Sequence, residues 1–221
     1  MTETTRAKPT NIILIRHGET AWNAERRLQG HLDIPLNPEG ERQAALLAGA
    51  LAPAAIDLIV SSDLSRARQT AQAVAGLRGL AVQTDPALRE RCYGGFEGLL
   101  YSEIEERFPL EFAAWQRREV DAAVPPGANR GETFRQFNAR VTGAIARWAG
   151  AHPGKTLALV AHGGVLECAY RAALGLPLHT PRTFKVHNAS INRFTLSGGV
   201  LALQSWGETE HLRHAVLDDL P

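Results

Sequence analysis

The sequence predicts a three-layer α/β/α sandwich built on a mostly parallel sheet. Three observations point there. Short apolar runs rich in β-branched residues recur along the 221 residues, helix-period segments separate them, and a glycine-containing hairpin signal lies near the end. Runs of this kind suit strands covered on both faces, as in parallel sheets. Alternation of such strands with helices selects the α/β class.

The elements follow in order. Residues 1–10 are polar and are expected to be flexible, and residues 11–221 read as one domain. Asn11-Ile12-Ile13-Leu14-Ile15 is the first strand. Asn37-Pro38 opens a helix, because Asn caps well and Pro suits the first helical position. That helix runs to about Leu51, and Pro53 closes it. Residues 57–61 form a second buried strand, a helix covers 65–75, and 81–84 is a short strand. Residues 101–118 read as helical, Pro125-Pro126-Gly127 breaks the chain, and a long helix covers about 132–149. Residues 156–161 are another buried strand, Gly163-Gly164 leads into a helix over 165–174, and strands at 191–196 and 200–206 flank Ser197-Gly198-Gly199. Residues 92–131 hold no clear strand and are expected to form an excursion over the sheet and the site.

Composition narrows the function. Hydrophobic residues are 44% of the chain and charged residues 21%, so a disordered chain is excluded. The net charge of +1 gives no basic field to attract nucleic acid, so any anion site must be local. No run approaches the ~20 apolar residues of a membrane helix, and no apolar leader precedes the first strand. Cys92 and Cys168 are far apart and form no CxxC motif, which fits a cytoplasmic setting.

In open α/β sheets ligands bind beyond the carboxyl ends of the strands. The residues at those positions here are polar: Arg16-His17 after the first strand, Ser61-Ser62-Asp63-Leu64-Ser65-Arg66 after the second, Leu88-Arg89-Glu90 after the third, and His162-Gly163-Gly164 after residues 156–161. Arginine is a bidentate fork for phosphate oxygens. Helix N-termini after Gly18 and Gly163 would add N–H donors for an anion. A neutral imidazole is a nucleophile near neutral pH, and a protonated carboxyl can serve a leaving oxygen. The set fits phosphoryl transfer through a phosphohistidine, with no metal and no cofactor required.

These residues carry a resemblance. Leu14-Ile15-Arg16-His17-Gly18-Glu19-Thr20 with Trp22-Asn23, then residues 61–71, then Leu88-Arg89-Glu90 with Gly94 and Glu97-Gly98, then Val160-Ala161-His162-Gly163-Gly164 are similar to four motifs of the histidine phosphatase superfamily, the phosphoglycerate mutase-like group. They stand in the family's order over residues 12–206. The resemblance implies a phosphoglycerate mutase-like sandwich, His17 as nucleophile, and Arg16, Arg66 and His162 around the transferring phosphoryl group. It further implies Glu90 as proton donor and Asn23 and Gly163 in the phosphate pocket. Glu97 is expected to be structural, Trp22 to pack, His31 to be a loop residue, and His152, His179 and His187 to have no role. His211 and His214 are expected to be solvent-exposed.

The superfamily holds both phosphatases and mutases. Tyr93 and the Arg117-Arg118 pair resemble the mutase's substrate-binding residues, whereas Tyr101 stands where the mutase has a lysine. Pro125-Pro126-Gly127, Gly131-Glu132-Thr133, Phe137, residues 188–192 and Trp206 resemble the phosphatase branch. The expected function is therefore a phosphomonoester hydrolase acting on a small phosphorylated metabolite. A 2,3-bisphosphoglycerate-dependent mutase is the alternative, and a catalytically silent binding module comes third. A small-molecule phosphate ester is the expected partner, with a second copy of the chain as the one protein partner considered.

Overall fold

We describe residues 8–213 in a computed structural model. The strands are β1 (Thr10–Arg16), β2 (Leu58–Ser61), β3 (Val82–Thr84), β4 (Thr156–Ala161), β5 (Ile191–Ser197) and β6 (Val200–Glu208). They form one six-stranded sheet in the order β3-β2-β4-β1-β5-β6. The first four in that order pair in parallel, β5 runs against β1, and β6 runs against β5. The mostly parallel α/β architecture is as the sequence predicts. The register sets Arg16 beside Ala161, so the chain after β1 and the chain after β4 leave the sheet side by side.

Side chains alternate along a strand, and β1 divides its apolar residues accordingly. Ile12 and Leu14 enter a core with Phe137, Val141, Leu159 and Val165, from helices α6 (Phe134–Gly150) and α7 (Gly163–Leu174) and strand β4. Ile13 and Ile15 enter a second core with Leu47, Leu51, Ala71 and Val74, from α2 (Pro38–Leu51) and α3 (Ser65–Gly76). A fully buried residue such as Ile15 contributes about 1.5–3 kcal/mol. That anchoring holds the polar residues at the strand's end. The Asn37 side chain accepts from Gly40 N–H at 2.8 Å, as its capping role requires.

Two local expectations change. Residues 101–118 are two helices, α4 (Tyr101–Arg107) and α5 (Pro109–Gln116), with the bend at Phe108. Pro109 cannot continue a helix but can start one, so it takes the first position of α5. After Gly18 there is only the single turn α1 (Ala21–Ala24), capped by Thr20, so a long helix N-terminus faces the site at Gly163 alone of the two expected positions. Residues 92–131 form an excursion with its own apolar cluster of Leu28, Phe96, Ile104 and Phe112, against which Tyr93, Tyr101 and Trp115 pack. Among the described residues no helix is long and apolar enough to cross a membrane.

Candidate active site

The carboxyl ends of β1 and β4 open into a cavity of about 420 Å³ whose lining includes Arg16, His17, Asn23, Arg66, Glu90 and Gly163. Sequence-predicted residues from four separate segments thus converge on one cavity.

His17 is 3% exposed. Its Nδ1 lies 2.6 Å from the carbonyl oxygen of Gly18. A carbonyl only accepts, so Nδ1 carries the hydrogen and Nε2 keeps its lone pair. Burial, then the charges of Arg66 and Arg16, push the His17 pKa well below the usual imidazole value. The ring is therefore neutral at physiological pH, in the tautomer that leaves Nε2 nucleophilic. Asn188 donates to the His17 carbonyl at 2.9 Å, and Ala189 N–H points at the carbonyls of Arg16 and His17. The backbone beneath His17 is thus held from the β5 side.

His162 is fully buried, with its ring centroid 5.1 Å from that of His17. Neither ring nitrogen has a hydrogen-bond partner. Burial and the nearby Arg66 keep it neutral as well. A buried polar group without a partner is expensive.

Arg66 is held from behind. Its Nη1 donates to Leu32 O at 3.0 Å and its Nη2 to Gly30 O at 2.9 Å, while Nε has no partner. Burial lowers its pKa to about 10, so it remains a cation at neutral pH. Arg16, 1% exposed, donates to Val186 O at 2.5 Å. Two buried guanidiniums side by side repel each other and are poorly hydrated, and an anion between them offsets both penalties.

Glu90 sits across the cavity, 8% exposed. Oε1 accepts from Arg91 N–H at 2.7 Å and Oε2 from Gly164 N–H at 2.9 Å. These two backbone donors fix its direction. A Cβ on Gly164 would lie 2.2 Å from Glu90 Oε1 and 2.9 Å from the Phe137 ring, so only glycine fits there. The second glycine of His162-Gly163-Gly164 therefore makes room for the carboxyl.

Asn23 lines the cavity while its Oδ1 takes the Thr20 N–H and hydroxyl, each at 3.1 Å. Tyr93 lines it too, packed on Trp115 at 5.6 Å. The arginine pair divides. Arg118 is on the wall, bound to Glu167 and lying over Phe134. Arg117 is not among the lining residues; it is exposed and paired with Glu119 at 2.8 Å. The expectation that Arg117 faces substrate is corrected. Arg118 takes a positive φ of +57.

Glu97 is structural, as expected: it accepts from the N–H groups of His31 and Tyr93 and from Asn129. His31 does more than fill a loop, since its Nε2 lies 2.9 Å from Glu90 O. His211 is half-buried rather than solvent-exposed, with Nε2 3.0 Å from Ala189 O. His214 lies outside the described residues. Sequence reasoning missed Arg91 and Glu167 as wall residues and Asn188 as a clamp. Glu167 did carry a signal, an i,i+4 pair with Arg171. Among the described residues no group of three or more His, Cys, Asp or Glu could hold a metal ion.

The chain is 39% identical over 204 residues to phosphoglycerate mutase-like protein 4 of Arabidopsis thaliana, covering 91% of this chain and 86% of that one. A mycobacterial glucosyl-3-phosphoglycerate phosphatase superposes with a TM-score of 0.79 at 30% identity, over 91% of this chain and 100% of that one. A phosphoserine phosphatase of Entamoeba histolytica, solved with 3-phosphoglyceric acid, superposes with a TM-score of 0.81 at 28% identity, over 92% and 99% of the two chains. The model of the histidine phosphatase superfamily (branch 1) matches residues 12–209, the span that carries the sheet from Ile12 onward together with His17 and His162, and the chain belongs to that superfamily.

Proposed function

We propose that this chain hydrolyses a small phosphate monoester, without a metal, through a phosphohistidine on His17. The observation that carries the reading is the His17 ring: neutral, with Nδ1 tied to Gly18 O, and with Nε2 available beside two buried arginines. Nε2 attacks phosphorus and the bond to the ester oxygen breaks. Arg16, Arg66, His162 and Asn23 take the non-bridging oxygens, whose charge grows in the transition state. Gly163 at the start of α7 adds a helix N-terminus. Glu90 gives its proton to the leaving oxygen. In the second half, Glu90 takes a proton from water, the water oxygen bonds to phosphorus, and the P–N bond breaks to regenerate neutral His17.

A mutase would instead return the phosphoryl group to the organic ligand, and the Arabidopsis relative's name keeps that reading in view. It leans on two adjacent arginines and retention of a bisphosphorylated ligand. Arg117 turned to solvent weighs against it, and the phosphatase names of the structural neighbours favour hydrolysis.

The test is covalent labelling. Rapid quench with a labelled phosphate ester is expected to trap an acid-labile, base-stable phosphoprotein, lost in His17→Ala with turnover down ~10⁴-fold or more. Chelation by EDTA is expected to leave both labelling and turnover in place. Labelling that survives in His17→Ala, or activity lost to EDTA and restored by one divalent ion, would overturn the proposal.

A further inference from the structure

Glu90 is carried by a segment that belongs to no strand and no α-helix. Its carboxyl contacts do not by themselves fix that segment. One donor, Arg91 N–H, sits on the same segment and moves with it; the other is Gly164 N–H. What grips the segment is the guanidinium of Arg140 on α6. Its Nη1 donates to Ala87 O at 3.0 Å and Arg89 O at 3.1 Å, and its Nη2 to Glu90 O at 3.1 Å. The other two hydrogens go to Glu132, from Nε to Oε1 and from Nη2 to Oε2, both at 2.7 Å. All five guanidinium hydrogens are thereby engaged.

Glu132 grips the far side of the segment. Its Oε2 accepts from Cys92 N–H at 3.0 Å, its N–H donates to Cys92 O at 2.9 Å, and its carbonyl accepts from Arg91 Nε at 2.9 Å. The pair therefore holds the backbone on both sides of Glu90, from residue 87 to residue 92. The Arg140 and Glu132 side chains are only 22% and 19% exposed, so water competes weakly for these bonds.

The other end of the grip is the floor of the cavity. Phe137, Val141 and Ala144 of α6 share a core with Ile12 and Leu14 of β1 and Val165 of α7. Strand β1 ends in Arg16 and leads into His17, and α7 begins at Gly163. A packed path thus runs from His17 through α6 to the backbone of Glu90. Two further ties reach the segment, His31 Nε2 at 2.9 Å from Glu90 O and Asp63 at 2.6 Å from Arg89. Both of those partners lie outside helices and strands.

We propose that Arg140 is a positioning residue for Glu90, setting where the carboxyl meets the leaving oxygen without touching substrate. Arg140 is not among the residues that line the cavity. The inference rests on the hydrolase reading above, with Glu90 as the acid.

The experiment is a double-mutant cycle on the phosphorylation step, followed by rapid quench with glycerol 3-phosphate and p-nitrophenyl phosphate. Lysine keeps the charge but has neither the fork nor five hydrogens. Arg140→Lys is expected to slow the alkyl ester ~10–100-fold, the loss for a displaced group. The aryl ester, with its better leaving group, is expected to change by ~3-fold or less. In a Glu90→Gln background Arg140→Lys is expected to leave the alkyl-to-aryl ratio where Glu90→Gln alone puts it, because no proton remains to be placed. Arg135→Gln breaks another ion pair of α6, with Asp121, and is expected to leave the ratio intact. Should Arg140→Lys fail to fold, Glu132→Gln is read in the same cycle, with an expected ~3–10-fold fall in the ratio. Equal losses on both esters, a ratio that falls further in the Glu90→Gln background, or a ratio moved as far by Arg135→Gln would each overturn the proposal. A contrast seen in Glu90→Gln but absent in Arg140→Lys fails this inference alone. Absent labelling of His17 in the parent fails the hydrolase reading and this inference with it.

Discussion

The floor of the cavity and its wall are built in opposite ways. The floor is Arg16, His17 and Arg66, with the buried His162 ring beside His17 but not among the lining residues, all at most 3% exposed and seated on the ends of β1 and β4 and the start of α3. Arg16, His17 and Arg66 are each aimed by backbone carbonyls. The wall is the excursion over 92–131, with α4 and α5 resting on one another through Trp115, which touches Tyr93, Phe96, Tyr101 and Phe112. Its charged groups are aimed by other charged groups, as Arg118 is by Glu167. The floor can change only by moving the sheet. The wall can change by substitution, which is how one chemistry serves many substrates.

Glu90 stands at the junction, and disturbing it gives the largest contrast. Glu90→Gln keeps the shape but has no proton to give, so alkyl phosphates are expected to lose ~10²–10⁴-fold in the phosphorylation step. Aryl phosphates, with better leaving groups, are expected to lose less. Rapid quench on both esters checks this, and equal losses would remove Glu90 from the role of acid.

Gly164→Ala tests the same residue from the floor side. The new Cβ meets Glu90 Oε1 and must displace it. A displacement of this order costs ~10–100-fold for alkyl esters. Steady-state kinetics on paired alkyl and aryl substrates reads it; an unchanged ratio between them would mean that the carboxyl position does not matter.

On the wall, Glu97→Ala strips the acceptor from three donors at once. The expected loss is about 1–3 kcal/mol of stability in a denaturant titration, with little effect on p-nitrophenyl phosphate turnover. A large rate effect with intact stability would make Glu97 part of the chemistry.

The smallest effect is a titration. His17 and His162 are depressed by burial and by Arg66, so below pH 6.5 they stay neutral where an exposed imidazole is protonated. The unfolded chain takes up those protons and the folded chain does not. The two rings therefore contribute stability that is present above about pH 6.5 and lost as the pH falls below it. NMR titration of the ring signals, assigned with His17→Ala, reads the shift directly; an ordinary midpoint would show a wetter floor.

The floor was legible in the sequence for a physical reason. Residues that leave a buried strand have one place to go, so Arg16-His17 and His162 could be placed from Ile12–Ile15 and Leu157–Ala161 alone. The wall was less legible. Arg117 and Arg118 look alike as letters, and only the positive φ of Arg118 and the distant Glu167 separate them. The break at Pro109 was written in the sequence and underread. Arg91 gave no signal, because its place on the wall is a property of the packing around it.

The strand order has a consequence for how the molecule is made. β1 and β2 do not touch; β4 lies between them, and it comes about a hundred residues after β2. A ribosome therefore releases two hydrophobic strands with bare edges well before the strand that joins them exists. Such edges pair with any neighbour that offers one. His17 meets His162 only when β4 has slotted in, so the His17 of a half-made chain has no partner ring beside it. The same late insertion that completes the sheet brings the proposed site together, and a chain cut before residue 156 is expected to be inert and prone to aggregate.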